Sequence, residues 1–588
     1  MTTLIISNKP RLLPFDLETT LCFENPYFTR TSNYSLEVTL PMPANYEVFG
    51  HIHRQDVKKE KIILPAKLII DGRVLMNGSA VVIGVDDTSV TVQLMSGNAE
   101  FNILTNDDIY IDQLDLGEVS YPPFPQGSDI NFPFEDKVKI YGPVDTCTSV
   151  WLPVLYNDED LYNDIVFDFG TNKFCTTDRR IRYCVQPYLL TVIRKLIEYF
   201  GYKEGENYLN QCWMRNLYIV SAVQTRKISG ALPHWTVSQF FDELEKFCGV
   251  ITVVDELTKT ISLVDNNTYY STSEYEYIDN VLKEFETDID DEGEEKDVTT
   301  GNVGYQLPSG TDDGYWRLDR DLVKAASKTE FSTYQLLEQH YNSLNDTDKK
   351  YALLICGNRY YINYNDGSTN KIREVNLYAD LIRDEDNEDV SVELKIMPAK
   401  IVQYNIGLYM NYVDYLRNNK MWPLVLNVPS ASFHTKLGKE DKIAIQDVIE
   451  GNQELQTNRE RKDIIELAIY TGELHPVEVN YKGQLATYHY PFSFTDYKQT
   501  VPNQKDSLPE YSLSLNDLGS GSMGHRMRSI QAIHSNVPYT IQFEKKWIPK
   551  LNRIYIINNK RYVAKKIEAQ LTSKELIPIL KGIFYRLD

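Results

Sequence analysis

The amino-acid sequence predicts a multidomain, mainly β protein in which β-meander or β-barrel domains alternate with small α+β modules, each made of a helix and a hairpin. Three observations predict this fold class. The chain has 588 residues, more than the roughly 100–200 residues of one domain. Alternating apolar and polar residues, separated by turn dipeptides, dominate both ends of the chain. Two amphipathic helical patterns, each ended by a glycine, lie between them.

The N-terminal domain is predicted to span residues 1–120 as a β-meander that closes into a sheet or small barrel. Residues 34–41, "YSLEVTLP", alternate apolar and polar side chains, as a half-buried strand does. The dipeptide Asp71-Gly72 stands between two apolar runs, which is a strong hairpin signal. Residues 80–97 repeat this pattern around an Asp-Asp-Thr turn, and Asn558-Asn559 marks a similar turn near the C-terminus.

The α+β domain predicted over 121–282 contains two helix units. The first helix follows Pro187, which suits a first helical turn, and ends at Gly201. The second helix begins after Thr236, a capping residue, and ends at Gly249 before a hairpin. The apolar faces of this second unit point toward one core, so it is predicted to be a packing module rather than a reaction centre. Its predicted buried helix face comprises Val237, Phe240, Phe241, Leu244 and Phe247.

The second half of the chain is predicted to be mostly β again. Residues 283–300 are rich in carboxylates, which indicates a solvated acidic linker or loop. A β-rich domain is expected over 301–405. A partly helical, charged insertion is expected over 406–500, and a C-terminal β domain over 501–588.

Composition argues against several functional classes. The seven cysteines are scattered without a C-x-x-C pair, which argues against a disulfide framework or zinc ribbon and fits a reduced cytosolic fold. Lys and Arg number 61 against 83 Asp and Glu, a net charge of −22. Proteins that grip nucleic acid through a broad surface are basic instead. No run approaches the roughly 20 apolar residues of a membrane span, and the first residues do not have the pattern of a signal peptide.

Two short motifs have the form of binding loops. Residues 519–524, "GSGSMG", match G-x-G-x-x-G, but the preceding residues are polar and not a strand, so a flexible glycine loop is predicted rather than a phosphate cradle. Residues 288–299 resemble the first half of an EF-hand loop, but Thr299 replaces the bidentate Glu. A solvated acidic loop is therefore predicted there rather than a calcium site.

Three histidines are candidates for metal binding or general-base catalysis. His51 and His53 would share one face of a strand, but no third metal ligand is suggested nearby. His234 is interpreted as a capping or turn residue rather than a general base. We therefore predict no catalytic, cofactor-binding or metal-binding residue, no bound cofactor, and no enzymatic activity.

The order of these segments resembles that of tailed-bacteriophage hub proteins, the group that includes baseplate hubs and tail-associated tip proteins. The resemblance rests on the meander at 34–97 and on the two helix units, of which the second is "LPHWTVSQFFDELEKFCGVITVVDELTKTISLV" at 232–264. The segment at 554–588 resembles the endings of tail proteins from phages of gut Bacteroidetes, including crAss-like phages. The resemblance extends over roughly two thirds of the chain. The acidic segment 283–300 and residues 437–470 have no counterpart.

The resemblance implies a structural protein of the virion tail that is assembled in the host cytoplasm. Hubs form a ring at the end of a tail, close or line the DNA channel and anchor fibres or other tail proteins. It implies a homo-oligomer, a trimer or alternatively a hexamer, through which DNA passes during genome ejection without tight binding. Two alternatives stay open. One is a neck or fibre-adaptor ring protein of the same virion, and the other is a carbohydrate-binding or carbohydrate-cleaving protein.

Overall fold

The structure of the chain, a computed structural model, describes most of the sequence in segments. These are residues 2–11, 13–14, 16–29, 32–58, 60–105, 109–119, 141–156, 160–163, 166–168, 173–175, 183–270, 274–287, 301–306, 328–356, 359–365, 369–375, 377–381, 392–410, 414–427, 463–481, 484–498, 508–530 and 537–587. The predicted fold class is confirmed, since the chain is mainly β, with several sheets and few helices.

The strands are numbered in chain order. The first seven are β1 (Thr2–Ile6), β2 (Lys9–Arg11), β3 (Glu18–Glu24), β4 (Tyr34–Pro41), β5 (Ile63–Ile70), β6 (Arg73–Val85) and β7 (Ser89–Ser96). The next twelve are β8 (Ser149–Val150), β9 (Val154–Tyr156), β10 (Asp160–Tyr162), β11 (Val166–Asp168), β12 (Lys173–Cys175), β13 (Gln186–Pro187), β14 (Lys203–Asn207), β15 (Leu217–Ile219), β16 (Val250–Asp255), β17 (Thr260–Asp265), β18 (Tyr275–Ile278) and β19 (Val281–Thr287).

The remaining strands lie in the second half of the chain. They are β20 (Val303–Tyr305), β21 (Lys328–Phe331), β22 (Leu353–Cys356), β23 (Arg359–Asn365), β24 (Asn370–Glu374), β25 (Val392–Leu394), β26 (Ile396–Pro398), β27 (Lys400–Met410), β28 (Asp414–Asn427), β29 (Ile465–Ile469), β30 (Leu474–Tyr481), β31 (Gln484–Pro491), β32 (Pro538–Glu544), β33 (Ile554–Ile557), β34 (Lys560–Thr572) and β35 (Leu576–Leu587).

The described α-helices are short. They are α1 (Met42–Phe49), α2 (Asn98–Thr105), α3 (Leu189–Tyr199), α4 (Val237–Cys248), α5 (Tyr334–Ser343), α6 (Asp346–Lys350) and α7 (Met523–Ser529). Three 3₁₀ turns lie at Tyr208–Gln211, Trp213–Asn216 and Ile228–Ala231. Within the described segments, no helix has the length and apolar character that a membrane crossing requires.

The two ends of the chain share one 13-stranded sheet. Its order is β19-β32-β35-β34-β3-β4-β7-β6-β5-β1-β2, with β33 beside β34 and β18 beside β33. β3 pairs with β34 along its whole length, from Glu18 opposite Thr572 to Glu24 opposite Lys566. The inner faces of both ends form one hydrophobic cluster. Strands from the predicted domains 1–120 and 501–588 lie together in this sheet and share its core. The domain boundaries near residues 120 and 501 themselves remain predictions.

Local turn chemistry forms the hairpins of this sheet. Asp71 and Gly72 have φ of 48° and 78°, and Asn558 and Asn559 have φ of 49° and 60°. Positive φ at both central residues defines the turn whose twist matches paired strands, and Asn, Asp and Gly tolerate it best. Both predicted hairpins are therefore confirmed, as is the strand at 34–41.

The turn between β6 and β7 depends on the Asp86 carboxylate. It accepts hydrogen bonds from the backbone N–H groups of Thr88 at 2.7 Å and Ser89 at 2.6 Å, and from both hydroxyls. These bonds, that of the Ser89 hydroxyl first, lower the pKa of Asp86 from 3.8 to about 2. Because the folded-state pKa is depressed, the carboxylate stabilises the fold above its unfolded-state pKa, and this stabilisation is lost as pH falls through about 2.

Replacing Asp86 by asparagine is therefore expected to lower the melting temperature near neutral pH and to matter progressively less in acid. The difference from the wild-type chain should shrink between about pH 5 and about pH 2. Differential scanning calorimetry of both proteins measures it, with the exposed Asp87→Asn as the matched control. A difference that stays constant over this range would contradict the assigned role of the carboxylate.

A second, larger core lies in the middle of the chain around α3 and α4. Thr236 accepts a hydrogen bond from the backbone N–H of Gln239 at 3.1 Å, which caps α4 as predicted. Gly249 ends the helix with φ of 65°. Pro187, predicted in the first turn of α3, lies instead in β13, because the helix begins two residues later at Leu189. The five side chains predicted to form the buried face of α4 are all 0% exposed: Val237, Phe240, Phe241, Leu244 and Phe247.

Every described element of regular secondary structure in the region 406–500 is a strand. The hairpin β27–β28 pairs with β9, and the hairpin β30–β31 pairs with β11. The partial helix predicted here, in residues 437–470, is not found in the described part. Residues 437–462 lie outside the described residues, and 465–469 form β29. A short apolar run such as "IELAI" fits a buried strand as well as a helix, and all five of its residues are buried between β15 and β26.

Candidate functional site

The helix-plus-hairpin module at 232–265 lies where distant parts of the chain meet. Its hairpin, β16–β17, contacts α2 from the N-terminal segment, and the end of its helix contacts α7 from the C-terminal segment. We call this meeting point the central joint and define it as the module together with Asn98, Glu100 and Arg526. The contacts of the central joint are buried and polar. Because a satisfied buried polar network rigidifies the groups that it connects, these contacts specify one arrangement of the three segments.

Asn98 joins α2 to the open edge of β16. Its side-chain amide donates to the carbonyl of Thr252 at 2.7 Å and accepts from the N–H of Val254 at 2.9 Å. The amide thus makes the two hydrogen bonds that a neighbouring strand would make. Asn98 is 3% exposed, so this edge is covered at that point rather than left as a template for pairing.

Glu100, two residues farther along α2, joins three segments. Its carboxylate accepts from the hydroxyl of Ser79 at 2.8 Å and that of Tyr202 at 3.3 Å, and it forms an ion pair with Lys259. Glu100 is 5% exposed. Burial, followed by the nearby Glu100 charge, raises the pKa of Tyr202 above its ordinary value of 10. Tyr202 therefore stays a neutral hydrogen-bond donor.

Arg526 of α7 closes the other side of the central joint. Its guanidinium donates to the carbonyls of Cys248 at 3.0 Å and Gly249 at 2.7 Å, where α4 ends. It forms an ion pair with Asp265 and lies 4.6 Å from the ring centre of Tyr208. The last carbonyls of a helix have no partner within it and carry partial negative charge. Arg526, which comes from another segment of the chain, supplies both the hydrogen-bond donors and the positive charge that this helix end lacks.

Gly249 permits this approach. A Cβ atom at Gly249 would lie 2.6 Å from the Cδ1 atom of Ile530 and 3.2 Å from the Arg526 guanidinium, and its φ is positive. Glycine alone tolerates both conditions at little cost. Gly249, which the sequence predicts as the end of the helix, is therefore also required for the close contact with Arg526 and Ile530.

A second polar junction, centred on Asn25, joins the N-terminal and C-terminal parts of the large sheet. Its amide oxygen accepts from the Tyr269 hydroxyl at 2.8 Å and the Tyr27 N–H at 3.0 Å. Its amide nitrogen lies within hydrogen-bonding distance of the Tyr270 hydroxyl at 2.8 Å and the Ala564 carbonyl at 2.7 Å. Asn25 is 0% exposed. One small side chain thus holds three stretches of chain.

Replacing Asn25 by alanine is expected to lower the free energy of unfolding by about 1–3 kcal/mol, because it leaves several buried polar groups without their partner. Urea denaturation measures this loss. Asn280→Ala is the matched control, since its amide donates to Glu544 at 2.7 Å on the exposed surface. The control should change stability by less than about 0.5 kcal/mol. Equal effects of the two substitutions would show that the Asn25 junction does not hold the sheet.

The structure places the two histidines of residues 51–54 outside the strands of the described part of the chain. His51 and His53 were expected on a strand, but they lie in a turn after α1, with ring centres 6.1 Å apart. The strand prediction was wrong because residues 42–49 form a helix with proline in its first turn. Within the described residues, no group of three or more metal-ligating side chains is found.

His234 connects residues 110–112 to the start of α4. Its ring stacks on Tyr110 with ring centres 3.7 Å apart, and its Nδ1 atom lies 3.0 Å from the Asp112 carboxylate. The backbone N–H of Ile111 donates to the carbonyl of Trp235 at 2.9 Å. His234 lies in the bend before α4, as its interpretation as a turn residue predicts.

The glycine motif at 519–524 is a packed turn. Ser522 caps α7 by accepting from the His525 N–H at 3.1 Å. A Cβ at Gly521 or Gly524 would lie 2.3 Å from a backbone carbonyl oxygen. The prediction of a flexible loop was therefore wrong, because these glycines permit close backbone packing. The acidic loop at 288–299 lies outside the described residues. The first five residues of the acidic linker predicted over 283–300 belong instead to β19, because they pair with β32.

Two of the described cysteines, Cys184 and Cys248, are fully buried thiols. The six whose side chains the structure describes form no disulfide. Burial raises the pKa of the Cys184 and Cys248 thiols well above the ordinary value, which keeps them protonated and poorly nucleophilic.

The densest basic clusters of the sequence, residues 53–61, 544–553 and 558–566, each contain a Lys or Arg that pairs with a carboxylate. Arg54 pairs with Asp56 at 2.7 Å. Lys545 and Arg553 share Glu276, at 2.6 and 3.3 Å. Further along, Lys566 lies between Glu24 at 3.7 Å and Glu568 at 3.0 Å. Such pairing reduces the positive charge that these clusters offer to a phosphate backbone.

Comparisons with known proteins were made for the whole chain. No protein-family model matches it, and no curated protein matches it. Among solved structures, it is similar to a 43 kDa tail protein of prophage MuSo2 from Shewanella oneidensis, with 7% identity over 100% of this chain and 97% of that chain and a TM-score of 0.30. It is also similar to a tail protein from Neisseria meningitidis MC58, with 7% identity over 100% and 96% of the two chains and a TM-score of 0.29.

A third similar structure is the prophage tail protein gp18 from Listeria monocytogenes EGD-e. The identity is 9% over 54% of this chain and 63% of that chain, with a TM-score of 0.20. Likenesses at identities and TM-scores this low do not assign a function to the chain.

Proposed function

We propose that the chain is a structural, non-enzymatic protein of a bacteriophage tail. Within the tail we propose a hub or tip protein that forms a ring, closes or lines the DNA channel and anchors other tail proteins or fibres. The observation that carries this proposal is the central joint. The meander and the helix-plus-hairpin module, on which the resemblance to tail hubs rests, are tied to each other and to α7 by buried polar contacts. A ring that transmits force at ejection needs its parts held in this way.

Exposed aromatic and apolar side chains support an assembled state. Tyr275 and Tyr277 of β18 are 40% and 58% exposed, and Leu282 of β19 is 49% exposed. These residues lie close together in the chain, on β18, which pairs with β33, and on β19, which pairs with β32. Tyrosine is enriched in protein interfaces because its ring buries apolar area while its hydroxyl finds a partner. We propose a homo-oligomer, a trimer in the first place and a hexamer as the alternative.

The test is cryo-electron microscopy of the native particle with this chain labelled. The proposal expects the label in a ring of three or six copies at the end of the tail. A ring at the neck or at a fibre base would support the adaptor role instead. A single copy per tail, or no copy in the tail, would contradict the proposal.

Weak affinity for DNA follows from the same proposal. With a net charge of −22 and paired basic clusters, the chain should bind neither duplex nor single-stranded DNA with submicromolar affinity at physiological salt. Fluorescence anisotropy at low and moderate salt measures this. Tight binding with a steep salt dependence, lost when Lys560, Arg561, Lys565 and Lys566 are replaced by glutamine, would show that the chain grips nucleic acid.

A further inference from the structure

Strands β3 and β4 pair at one end only. Their register consists of Leu21 opposite Ser35 and Cys22 opposite Tyr34. Beyond this point β3 continues back to Glu18 on β34, and β4 continues to Pro41 on β7. The two strands therefore diverge as a fork. Within the described residues, no strand pairs with the edges that face each other across the fork, and such edges are templates for a further strand.

A cleft of about 660 Å³ lies at this fork. Leu36 from β4 and Ile83 from β6 line it and are 49% and 47% exposed. A bulge in β4 between Tyr34 and Glu37 leaves Leu36 and Glu37 exposed in succession, where a regular strand would alternate. The fork thus combines unpaired strand edges with accessible apolar side chains.

The charge of the cleft indicates what it would bind. Glu18 and Glu37 both line it and are exposed, and no Lys or Arg is among the described residues that line it. A segment with Lys or Arg is therefore favoured over an acidic one. A second copy of this chain, with its net charge of −22, is disfavoured on average.

We propose that this fork is a docking slot for an extended, basic segment of a partner protein, which binds as an added strand between β3 and β4. Backbone hydrogen bonds to the facing edges would supply affinity. Leu36, Ile83 and the two glutamates would select alternating apolar and basic side chains. The proposal rests on the proposed function only for the source of the partner, another virion protein that a hub would anchor.

The experiment uses the purified full chain and synthetic peptides of about six residues, the usual length of a strand. One fluorescent peptide alternates valine and lysine, a second alternates valine and glutamate, and a third carries proline in place of the inner valines. Anisotropy measures binding. Hydrogen exchange then shows which amides of the chain the peptide protects. The Val-Lys peptide should bind with a Kd stronger than about 1 mM, weaken with salt, and protect residues 18–20 and 36–41.

Surface variants locate the site. Leu36→Glu should weaken Val-Lys peptide binding at least about tenfold, a change of about 1.4 kcal/mol, and Glu37→Lys should do the same. Val74→Glu and Asp87→Lys are the matched controls, since Val74 is 43% exposed on β6 and Asp87 is exposed in the turn before β7. Both controls should bind like the wild-type chain. Unchanged hydrogen exchange elsewhere shows that each variant is folded.

Several outcomes would contradict the proposal that the fork is a docking slot. They are no binding of the Val-Lys peptide, equal binding of the Val-Lys and Val-Glu peptides, or full binding by Leu36→Glu. Self-association that Leu36→Glu abolishes would identify a second copy as the occupant and would also overturn it. These measurements need no virion. Peptide binding by a chain that is absent from the tail would therefore refute only the tail role, and a tail location without peptide binding would refute only the slot.

Discussion

Replacing Arg526 by alanine is expected to lower the free energy of unfolding by about 3–5 kcal/mol, the usual loss when one partner of a buried ion pair is removed. The side chains of Arg526 and Asp265 are only 6% and 13% exposed. The alanine variant removes the guanidinium that donates to the carbonyls of Cys248 and Gly249 and pairs with the Asp265 carboxylate. Urea denaturation, followed by hydrogen exchange of the α4 amides, measures the loss.

Three further variants make this prediction specific. Arg526→Lys keeps the charge but has no planar fork, so it should recover only part of the lost stability. Asp265→Asn in the Arg526→Ala background should recover some stability by removing the unpaired carboxylate. Arg54→Ala breaks an ion pair whose side chains are 54% and 65% exposed, and should cost less than about 1 kcal/mol. An Arg526→Ala loss no larger than that of Arg54→Ala would refute the role of the central joint.

Replacing Phe241 by alanine is expected to cost about 3–5 kcal/mol, as truncation of a core phenylalanine usually does. Its ring is 0% exposed. Its ring centre lies 5.4 Å from that of Phe101 on α2 and 5.6 Å from that of Phe240. The cavity would open where the helix-plus-hairpin module meets the N-terminal segment. The melting temperature and the urea midpoint should both fall.

The control for this helix is Lys246→Ala, because Lys246 is exposed on α4 and pairs with Glu243 at 2.9 Å. It should cost less than about 1 kcal/mol. Glu243 would look like an equally neutral position from its charge alone, but the structure shows otherwise. It is 6% exposed and accepts a hydrogen bond from the backbone N–H of Lys395 at 3.3 Å. Glu243→Ala should therefore cost about 1–3 kcal/mol. Equal effects of the Phe241 and Lys246 substitutions would mean that the assigned buried face is wrong.

Glu243 shows why helical spacing has to be read together with residue type. It lies three residues after Phe240 and four before Phe247, on the flank of the buried face. Spacing alone would have placed it near the core, and its charge favoured the surface. The donor to its carboxylate, the backbone N–H of Lys395, is 152 residues away. No local pattern predicts a hydrogen bond over that separation.

The strands of the insertion show a second limit. The apolar run at 465–469 has the length of a strand and the charge-rich flanks of a surface helix, so its composition allowed either structure. Pairing with β15 and β26 decided it, because a strand buried on both faces needs partners on both edges. Those partners come from residues 217–219 and 396–398.

The sequence by itself determined the elements whose causes are local. The Asp71-Gly72 and Asn558-Asn559 turns, the Thr236 cap and the Gly249 end of α4 each depend on the conformational preference of a few neighbouring residues. Such preferences act within a few residues and can be seen without the rest of the chain.

Only the tertiary structure decided how these elements are joined. The pairing of β3 with β34, the Asn25 junction, the Arg526 cap 278 residues from Cys248, and the fork between β3 and β4 all depend on contacts between distant segments. Periodicity indicates that a face is buried but not what covers it. The choice of partner depends on the shape and polar groups of both surfaces, and these surfaces exist only after the segments have folded together.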